Sequence, residues 1–366
     1  MKPLTVLDKL EAFFASYIAF PYENHALVAA VWAAHTHLWP HFDATPYMVV
    51  TAETKQSGKT LFGIDLMDLV ASNPAKLTGM TPAAAFRKID ADKPTCLVDE
   101  AETLESESAS DLRAALNVGY KHGAKFVRAA EGKRGVIEFE VYCPKLFVLI
   151  GDVNDTLHDR SIIMRLARGK PEKRFFRRHA EQEGHALRDE LAAACLDALA
   201  NVTKLYEEQS AKGLGFLSSR DEEIWIPLFV TCEALAPHLT KRLLRAAVDL
   251  AADKTAERRS YVKLLGDGVE DRARDDEYAQ KLLVDLLAVM NHGGKYVLTA
   301  DALPKLKEID TAPWRRYRGR GLSDIDMGNM LDRFGVHPKS IKVAKNKVQR
   351  GYTRVDVAAA LKRITE

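Results

Sequence analysis

The spacing of hydrophobic positions divides this chain into four parts. Residues 1–45 repeat apolar residues at helical spacing, and residues 46–170 alternate short apolar runs with helical patterns. Residues 171–282 are almost entirely helical in pattern, whereas residues 283–366 mix helical patterns with short β-like runs. Because short strands that alternate with helices are typical of α/β sheets, the pattern predicts an α/β protein with helical flanking segments.

The first junction between a strand and a helix in the α/β part carries a candidate nucleotide-binding loop. An apolar run leads into TAETKQSGKT, and a helical pattern follows. The motif G-x-x-x-x-G-K-[ST] is matched at Gly58, Lys59 and Thr60. Glu53, however, stands where the motif has its first glycine. The loop residues expected around the phosphates of ATP are Thr54, Lys55, Gln56, Ser57, Gly58, Lys59 and Thr60.

A second motif supports this phosphate loop. Lys59 would reach the outer phosphates and Thr60 would hold Mg²⁺, although the loop alone could also be a capped surface helix with an incidental lysine. PTCLVDEAET reads as a buried strand that ends in Asp99 and Glu100. Asp99 would support the Mg²⁺ shell and Glu100 would activate a water, unless the strand simply ends in a solvated acidic turn. Together the motifs predict a site for ATP and Mg²⁺.

Polar and basic residues follow a third apolar run, LFVLIGDVN. In ATPases of the AAA+ type a polar side chain at this position senses the γ-phosphate, so Asp152 or Asn154 is the candidate. Arg160 follows shortly and could stabilise the transition state at a neighbouring subunit's ATP. An internal salt bridge of Arg160 with Asp155 or Asp159 is the alternative, because a role in a neighbouring subunit depends on an oligomer.

A charged hairpin is predicted between the second and third apolar runs. Two β-rich runs flank the tip EGKRG, which contains Lys133 and Arg134. Helicases of superfamily 3 and their AAA+ relatives project a hairpin from this interval into a central pore. Lys133 and Arg134 would then contact the nucleic-acid backbone, although an ordinary surface hairpin with a charged turn is the alternative.

Charge is distributed unevenly along a chain of globular composition. The chain has 366 residues, 47% of them hydrophobic, and a net charge of +2. Residues 312–366 contain thirteen Lys and Arg against five Asp and Glu, so they carry +8 and residues 1–311 carry −6. A basic tail on a mildly acidic body suggests a polyanionic partner, and a solvated basic surface is the alternative.

The order of elements in the tail predicts a winged-helix-like domain. We expect a helix at Asp324–Phe334, a turn at Gly335–Pro338, a second short helix, and a basic β-like stretch that ends at Tyr352. We favour DNA binding over protein docking for this segment because its positive charge is concentrated. The expected phosphate contacts are Lys339, Lys342, Lys345, Lys347 and Arg350.

Aromatic and basic residues alternate just before this domain. Trp314 and Tyr317 could stack on bases or anchor the segment to the body of the protein. The basic residues among them are Arg315, Arg316 and Arg318. Arg315 and Arg316 are therefore further candidates for nucleic-acid contacts.

The cysteines, the histidines and the lengths of the apolar runs argue against a disulfide-linked, a zinc-binding and a membrane-spanning protein. The four cysteines are scattered and are expected to be buried, reduced thiols. His35 and His37 are two positions apart on a predicted helix and would face different ways, so a structural role is favoured over zinc binding. We find no signal peptide and no apolar run of about 20 residues, which predicts a cytoplasmic protein without a membrane span.

The sequence resembles the domain-of-unknown-function 3631 family, P-loop ATPase modules found mainly in actinobacterial plasmids, prophages and phages. The segments that carry the resemblance include TPYMVVTAETKQSGKT, PTCLVDEAET, CPKLFVLIGDVNDTLHDRSIIMRL and SSRDEEIWIPLF. The resemblance extends from about residue 8 to the end of the chain. Loops in this family commonly lack the first glycine, so Glu53 is consistent with nucleotide binding.

The resemblance implies an AAA+-like ATPase core at 46–170 with superfamily 3 helicase features. The helical part at 171–282 would be a lid over the nucleotide, from which Arg220 could reach the ATP phosphates or pair with Glu222 or Glu223. We therefore expect a DNA-dependent ATPase of phage or mobile-element replication, a helicase or remodelling motor that forms a homo-oligomer, with a hexamer favoured. The alternatives are a regulatory or phage-defence switch whose tail docks a protein, and a nucleotide-binding scaffold with negligible turnover.

Overall fold

The computed structural model describes two compact units, Met1–Ala247 and Val248–Glu366. The described residues are 3–52, 56–77, 79–101, 110–129, 135–151, 155–217, 219–265, 269–290, 294–317, 320–344 and 347–365. Each unit is mixed α/β, and unit 1 contains a parallel sheet, as the alternation of strand and helix patterns predicted.

The parallel sheet of unit 1 has five strands in the order β2-β3-β6-β1-β7. Every residue of β1 is buried, and so are the first five residues of β6. Burial on both faces explains why these strands are apolar runs rather than alternating patterns. A separate antiparallel hairpin is formed by β4 and β5. The strands are β1 (Tyr47–Ala52), β2 (Pro74–Lys76), β3 (Thr95–Val98), β4 (Lys125–Ala129), β5 (Val136–Glu140), β6 (Lys145–Ile150) and β7 (Ser161–Arg165).

Unit 1 also contains helices. The first helix begins with a capping box in which Thr5 and Asp8 bond each other's backbone N–H groups, and every residue of the second helix is buried. A ninth helix starts in unit 1 and continues into unit 2. The helices are α1 (Val6–Tyr17), α2 (His25–His35), α3 (Met67–Val70), α4 (Pro82–Asp92), α5 (Ser110–Val118), α6 (Asp155–His158), α7 (Arg177–Lys212), α8 (Ser219–Leu235) and α9 (Thr240–Leu265).

The histidines near the end of α2 have structural environments. His35 is fully buried and its Nε2 lies 2.8 Å from the Thr45 hydroxyl, while His37 Nε2 lies 3.0 Å from the Val70 carbonyl oxygen. Among the described residues, no group of three or more His, Cys, Asp or Glu side chains could hold a metal ion. Burial lowers the pKa of His35 to about 3, so this side chain is neutral in the folded protein at neutral pH.

Acidification is expected to destabilise unit 1 through His35. The unfolded chain takes up a proton near pH 6.5 and the folded chain only near pH 3, so stability falls by about 1.4 kcal/mol per pH unit within this window. Urea unfolding at pH 7 and pH 5 of the wild type, His35→Gln and the exposed control His41→Gln measures the difference. We expect a shallower pH dependence in His35→Gln alone; equal slopes in all three proteins would contradict the assignment.

Unit 2 combines helices with a three-stranded antiparallel sheet in the order β8-β10-β9. Its hydrophobic core includes the fully buried side chains of Leu282, Leu286, Trp314, Met327 and Tyr352. The elements are α10 (Val269–Val289), β8 (Tyr296–Leu298), α11 (Thr299–Lys307), α12 (Asp324–Asp332), β9 (Lys339–Ala344), β10 (Lys347–Thr353) and α13 (Arg354–Thr365).

Two details of the predicted C-terminal organisation differ from the structure. The expected boundary at 282/283 falls inside α10, because Leu282, Leu283 and Leu286 pack in one continuous helical stripe against the core of unit 2. The expected second short helix after Pro338 is instead the strand β9, which pairs with β10 along its length. The stretch KSIKVA contains two β-branched residues and forms a hairpin with the strand that follows. The winged-helix-like assignment stays a prediction.

Within the described part of the chain, no helix has both the length and the apolar character needed to cross a membrane.

Candidate functional site

Residues 56–60 of the loop after β1 lead into a π-helical turn, Leu61–Leu66. Gln56 and Gly58 have left-handed φ values of 62° and 85°, and the Phe62 N–H donates to the Gly58 carbonyl. A Cβ on Gly63 would lie 2.5 Å from the Val148 side chain, so glycine lets the turn pack directly against β6. The turn that follows the loop is therefore packed closely against β6.

Lys59 of this loop is sheltered from solvent. Lys59 and Ser57 are each only 7% exposed, and Lys59 Nζ donates to Ser57 Oγ at 3.3 Å. Thr60, in contrast, is exposed. A lysine held this way presents a point charge at a fixed place, which is how lysine binds phosphate.

The acidic pair lies at the carboxyl end of β3. The Glu100 N–H donates to Asp99 Oδ1 at 2.9 Å, and Glu100 adopts a left-handed φ of 57°. Such a backbone costs about 1–3 kcal/mol in a residue other than glycine and is concentrated at functional sites. Both acidic residues line one cavity.

One cavity of about 420 Å³ joins the loop and the acids. It opens at the carboxyl ends of β1, β3 and β6. The chain runs from β1 toward one edge of the sheet to form β2, whereas from β6 it passes β1 and runs toward the other edge to form β7. The connections from the neighbouring strands β1 and β6 therefore lead in opposite directions. Ligands of open parallel sheets bind at such a switch point. The lining residues are Gln56, Ser57, Gly58, Lys59, Thr60, Leu61, Asp99, Glu100, Val148, Leu149 and Ile150. Thr54, Lys55, Asp152 and Asn154 lie outside the described residues.

Arg160 lies at the opposite, amino-terminal edge of the same sheet. Its carbonyl accepts the Tyr47 N–H, its Nε donates to the Asn117 carbonyl at 3.0 Å, and its guanidinium carbon lies 5.4 Å from the Tyr120 ring centroid. Five residues of β7 separate Arg160 from the edge that carries the cavity, a span of about 16 Å. Arg160 therefore does not line the cavity of its own chain.

Arg220, in the first turn of α8, contacts the same aromatic ring. Its Nη1 donates to Tyr120 Oη at 2.5 Å and lies 2.9 Å from Glu223, which also pairs with Lys121 at 2.7 Å. Of the two alternatives for Arg220, the structure shows the pairing with Glu223. Sequence reasoning missed Tyr120, because nothing in GYKHG indicates that two distant arginines converge on it.

Several residues predicted to contact nucleic acid form ion pairs within unit 2. Arg315 and Arg316 pair with Asp249 and Asp253 of α9, at 2.5 and 2.6 Å. Lys339 pairs with Asp356 at 2.6 Å and thereby holds the pKa of that carboxyl below its usual value. Lys342 and Arg350 are exposed on the β9–β10 hairpin. Lys133, Arg134, Arg318 and Lys345 lie outside the described residues, and for Lys347 only the backbone in β10 is described.

The aromatic residues before α12 anchor this segment. Trp314 is fully buried and its Nε1 donates to Asp285 at 2.7 Å, and Tyr317 is only 3% exposed. Stacking on bases needs an exposed ring face, so the anchoring alternative holds and the stacking alternative is wrong in this conformation. The four cysteines are free and buried, as expected.

Comparisons with known proteins give a family but little further detail. A search of the curated proteins finds no match. An A-form apo structure of the NrS-1 C-terminal region aligns with a TM-score of 0.33 and 10% identity, covering 96% of this chain and 78% of that chain. A second apo structure of that region gives a TM-score of 0.32 with the same identity and coverage. Similarities of this size do not establish a common fold.

The family model for DUF3631, described as a protein of unknown function, matches residues 163–364. The matched part covers more than half of the chain and spans β7 to α13. It is shorter than the predicted resemblance, and both candidate ATP motifs precede it, so the resemblance over those motifs stays a prediction. The chain belongs to the DUF3631 family.

Proposed function

We propose that this protein is an Mg²⁺-dependent ATP hydrolase whose activity is coupled to DNA. One observation carries the hydrolase proposal: residues of the glycine-lysine-threonine loop and the acidic pair, about forty positions apart, line one cavity at the carboxyl edge of a parallel sheet. Its volume of about 420 Å³ suits a small-molecule ligand. Two independently recognised motifs that meet in space are stronger support than either motif alone.

Each polar side chain of the cavity has a chemical role in this proposal. Lys59 binds the β- and γ-phosphates with a sheltered positive charge, and the loop N–H groups after Gly58 complete the anion site. The Thr60 hydroxyl and the Asp99 carboxylate are hard oxygen ligands of the kind Mg²⁺ prefers, and two such ligands with waters suffice. When bound, Mg²⁺ would neutralise charge on the phosphates.

Glu100 is the residue that acts on water. Its carboxylate lines the cavity next to Asp99 and can orient a water and accept its proton during attack on the γ-phosphorus. The arginines at the opposite sheet edge fit a different task. Arg160 and Arg220 share the Tyr120 ring, and in an oligomer they would approach the phosphates bound by a neighbouring copy.

Coupling to DNA is proposed from the charge of the C-terminal unit. Residues 333–355 contain seven Lys and Arg and no Asp or Glu. Exposed Lys342 and Arg350 on the β9–β10 hairpin are suited to phosphate contacts that do not depend on base sequence. Arg315, Arg316 and Lys339 are weaker candidates for DNA contacts, because each already forms an ion pair with an aspartate of unit 2.

Steady-state ATP hydrolysis over a salt series, with and without single- and double-stranded DNA, tests this proposal. We expect DNA to stimulate hydrolysis and salt to remove the stimulation, because released counterions drive phosphate binding. Lys59→Met should lower hydrolysis by at least about a hundredfold, whereas Lys76→Met, which removes an ion pair with Asp68, should not.

Other outcomes would redirect the proposal. Hydrolysis that ignores DNA at low salt would contradict the DNA coupling and favour a nucleotide-controlled switch whose tail docks a protein. A wild-type protein that binds ATP without hydrolysing it would favour the scaffold alternative.

A further inference from the structure

Unit 2 contains a second cavity, apart from the candidate ATP site. It measures about 580 Å³ and lies between α12, the start of α11 and β10. Leu298, Leu303 and Ile325 contribute apolar surface, and Asn329, Gln349 and Arg350 contribute hydrogen-bonding groups. A mostly apolar cavity with a few convergent polar groups is the usual form of a site for a small ligand group.

A glycine keeps this cavity open. Gly328 lines it from the middle of α12, and a Cβ at this position would meet only the Tyr352 hydroxyl, at 4.0 Å. The protein's own packing therefore does not require glycine here, although glycine is among the poorest helix formers. The chain therefore leaves this space empty, although a residue with a side chain would stabilise the helix more. A ligand can approach the helix backbone closely at this position.

Two further residues line the cavity. Thr299 lines the cavity, and its buried hydroxyl has no hydrogen-bond partner among the described residues. Ile325 is 71% exposed although it is a large aliphatic residue in an ordered helix. A ligand with an apolar face would pack on Ile325, and its polar edge would meet the carboxamides of Asn329 and Gln349.

The charge around the cavity indicates how such a ligand is attached. Gln349 and Arg350 belong to β10 of the basic β9–β10 hairpin, so a polyanion that follows this hairpin passes the cavity mouth. The exposed Asp324 carboxylate also lines the cavity and disfavours a phosphate inside it. The apolar and hydrogen-bonding part of a polyanion would therefore enter, and its phosphates would stay on the hairpin.

We propose that this cavity binds an unpaired nucleobase of a nucleic acid whose backbone lies along the β9–β10 hairpin. The carboxamide groups of Asn329 and Gln349 match the hydrogen-bonding edges of bases. A duplex presents its base edges inside a groove, where a protruding element reads them, whereas a concave site accepts a base that is splayed out. The proposal rests on the nucleic-acid binding in the proposed function and is independent of ATP hydrolysis.

Binding of labelled oligonucleotides to the full-length protein, without nucleotide and at low salt, tests the proposal. The probes are single-stranded DNA, RNA of the same sequence, the matching DNA duplex, and an abasic sugar-phosphate strand of equal length. The proteins are the wild type, Gly328→Leu, Asn329→Ala, and Ala359→Leu as a control for added apolar bulk on an exposed helical position of the same unit. Leucine favours helix, so Gly328→Leu should fill the cavity without weakening α12.

We expect the wild type and Ala359→Leu to bind a base-bearing single strand at least about tenfold more tightly than the abasic strand. Gly328→Leu should lose this preference while binding the abasic strand as the wild type does, and Asn329→Ala should reduce it. The DNA and RNA probes show which nucleic acid supplies the base.

Three results would overturn the proposal. Equal binding of base-bearing and abasic strands by the wild type means that only phosphates are contacted. An unchanged preference in Gly328→Leu places the base elsewhere. If no probe binds, nucleic-acid binding is removed from the proposed function as well. ATP hydrolysis measured without DNA then tests the hydrolase proposal separately.

Discussion

Glu100→Gln is expected to bind ATP with wild-type affinity and to hydrolyse it at least about a hundredfold more slowly, the usual contribution of a general base. The amide keeps the shape of the carboxylate but cannot accept the proton of the attacking water. Glu100 lines the cavity beside Asp99, and its left-handed backbone is compatible with glutamine as much as with glutamate. The substitution should therefore lower the rate of hydrolysis and leave the geometry of the site unchanged.

The measurement pairs fluorescent ATP-analogue binding with single-turnover hydrolysis of ATP. Glu207→Gln on the exposed face of α7 makes the same chemical change away from the cavity and should match the wild type in both assays. Hydrolysis by Glu100→Gln at the wild-type rate would remove Glu100 from the catalytic role. Loss of binding in this variant would assign it to nucleotide binding instead.

Lys145→Met is expected to cost about 3–5 kcal/mol of stability, the largest effect of a single substitution that we predict for unit 1. Lys145 is 1% exposed at the start of β6, and its ammonium group donates to the carbonyl oxygens of Gly119, Val141 and Cys143 at 2.7–3.0 Å. It also lies 5.0 Å from the Tyr47 ring centroid. Methionine fills the space but leaves three buried acceptors without their donor.

Urea unfolding followed by circular dichroism measures this effect at neutral pH. The matched control is Lys125→Met on β4, where the lysine is about half exposed and pairs with Glu138 at 2.8 Å. Removing this surface ion pair should cost less than about 1 kcal/mol. Equal losses in the two variants would show that the three carbonyl contacts of Lys145 contribute little to stability.

The candidate nucleotide site illustrates what local sequence can predict. Strand, loop and helix are contiguous around Gly58, so their order and the placement of Lys59 follow from a short stretch of chain. The acids Asp99 and Glu100 are equally local to the end of β3. The two stretches line the same cavity because β3, β6 and β1 are neighbours in the sheet. No local sequence pattern encodes this strand order.

The arginines show where local patterns were insufficient. Arg160 and Arg220 are sixty positions apart in sequence, and the alternatives for each stayed open because a side chain's partner depends on packing between distant elements. The structure brings both to Tyr120, at the sheet edge opposite the cavity. The sequence also left open whether Trp314 and Tyr317 stack on bases or anchor their segment, since an aromatic residue among arginines is compatible with either role. The structure buries both rings.

By itself, the sequence determined the α/β class, the strands and helices with strong hydrophobic periodicity, the strand-loop-helix unit that holds Lys59, and the basic excess of the C-terminal residues. Periodicity and composition are local, so they are readable without a fold. Only the tertiary structure decided the two-unit division, the meeting of the loop with the acids, the ion pairs that occupy Arg315, Arg316 and Lys339, the burial of Lys145, and the cavity beside Gly328. These features arise from contacts between residues far apart in the chain, which form only when strand order and helix packing are complete.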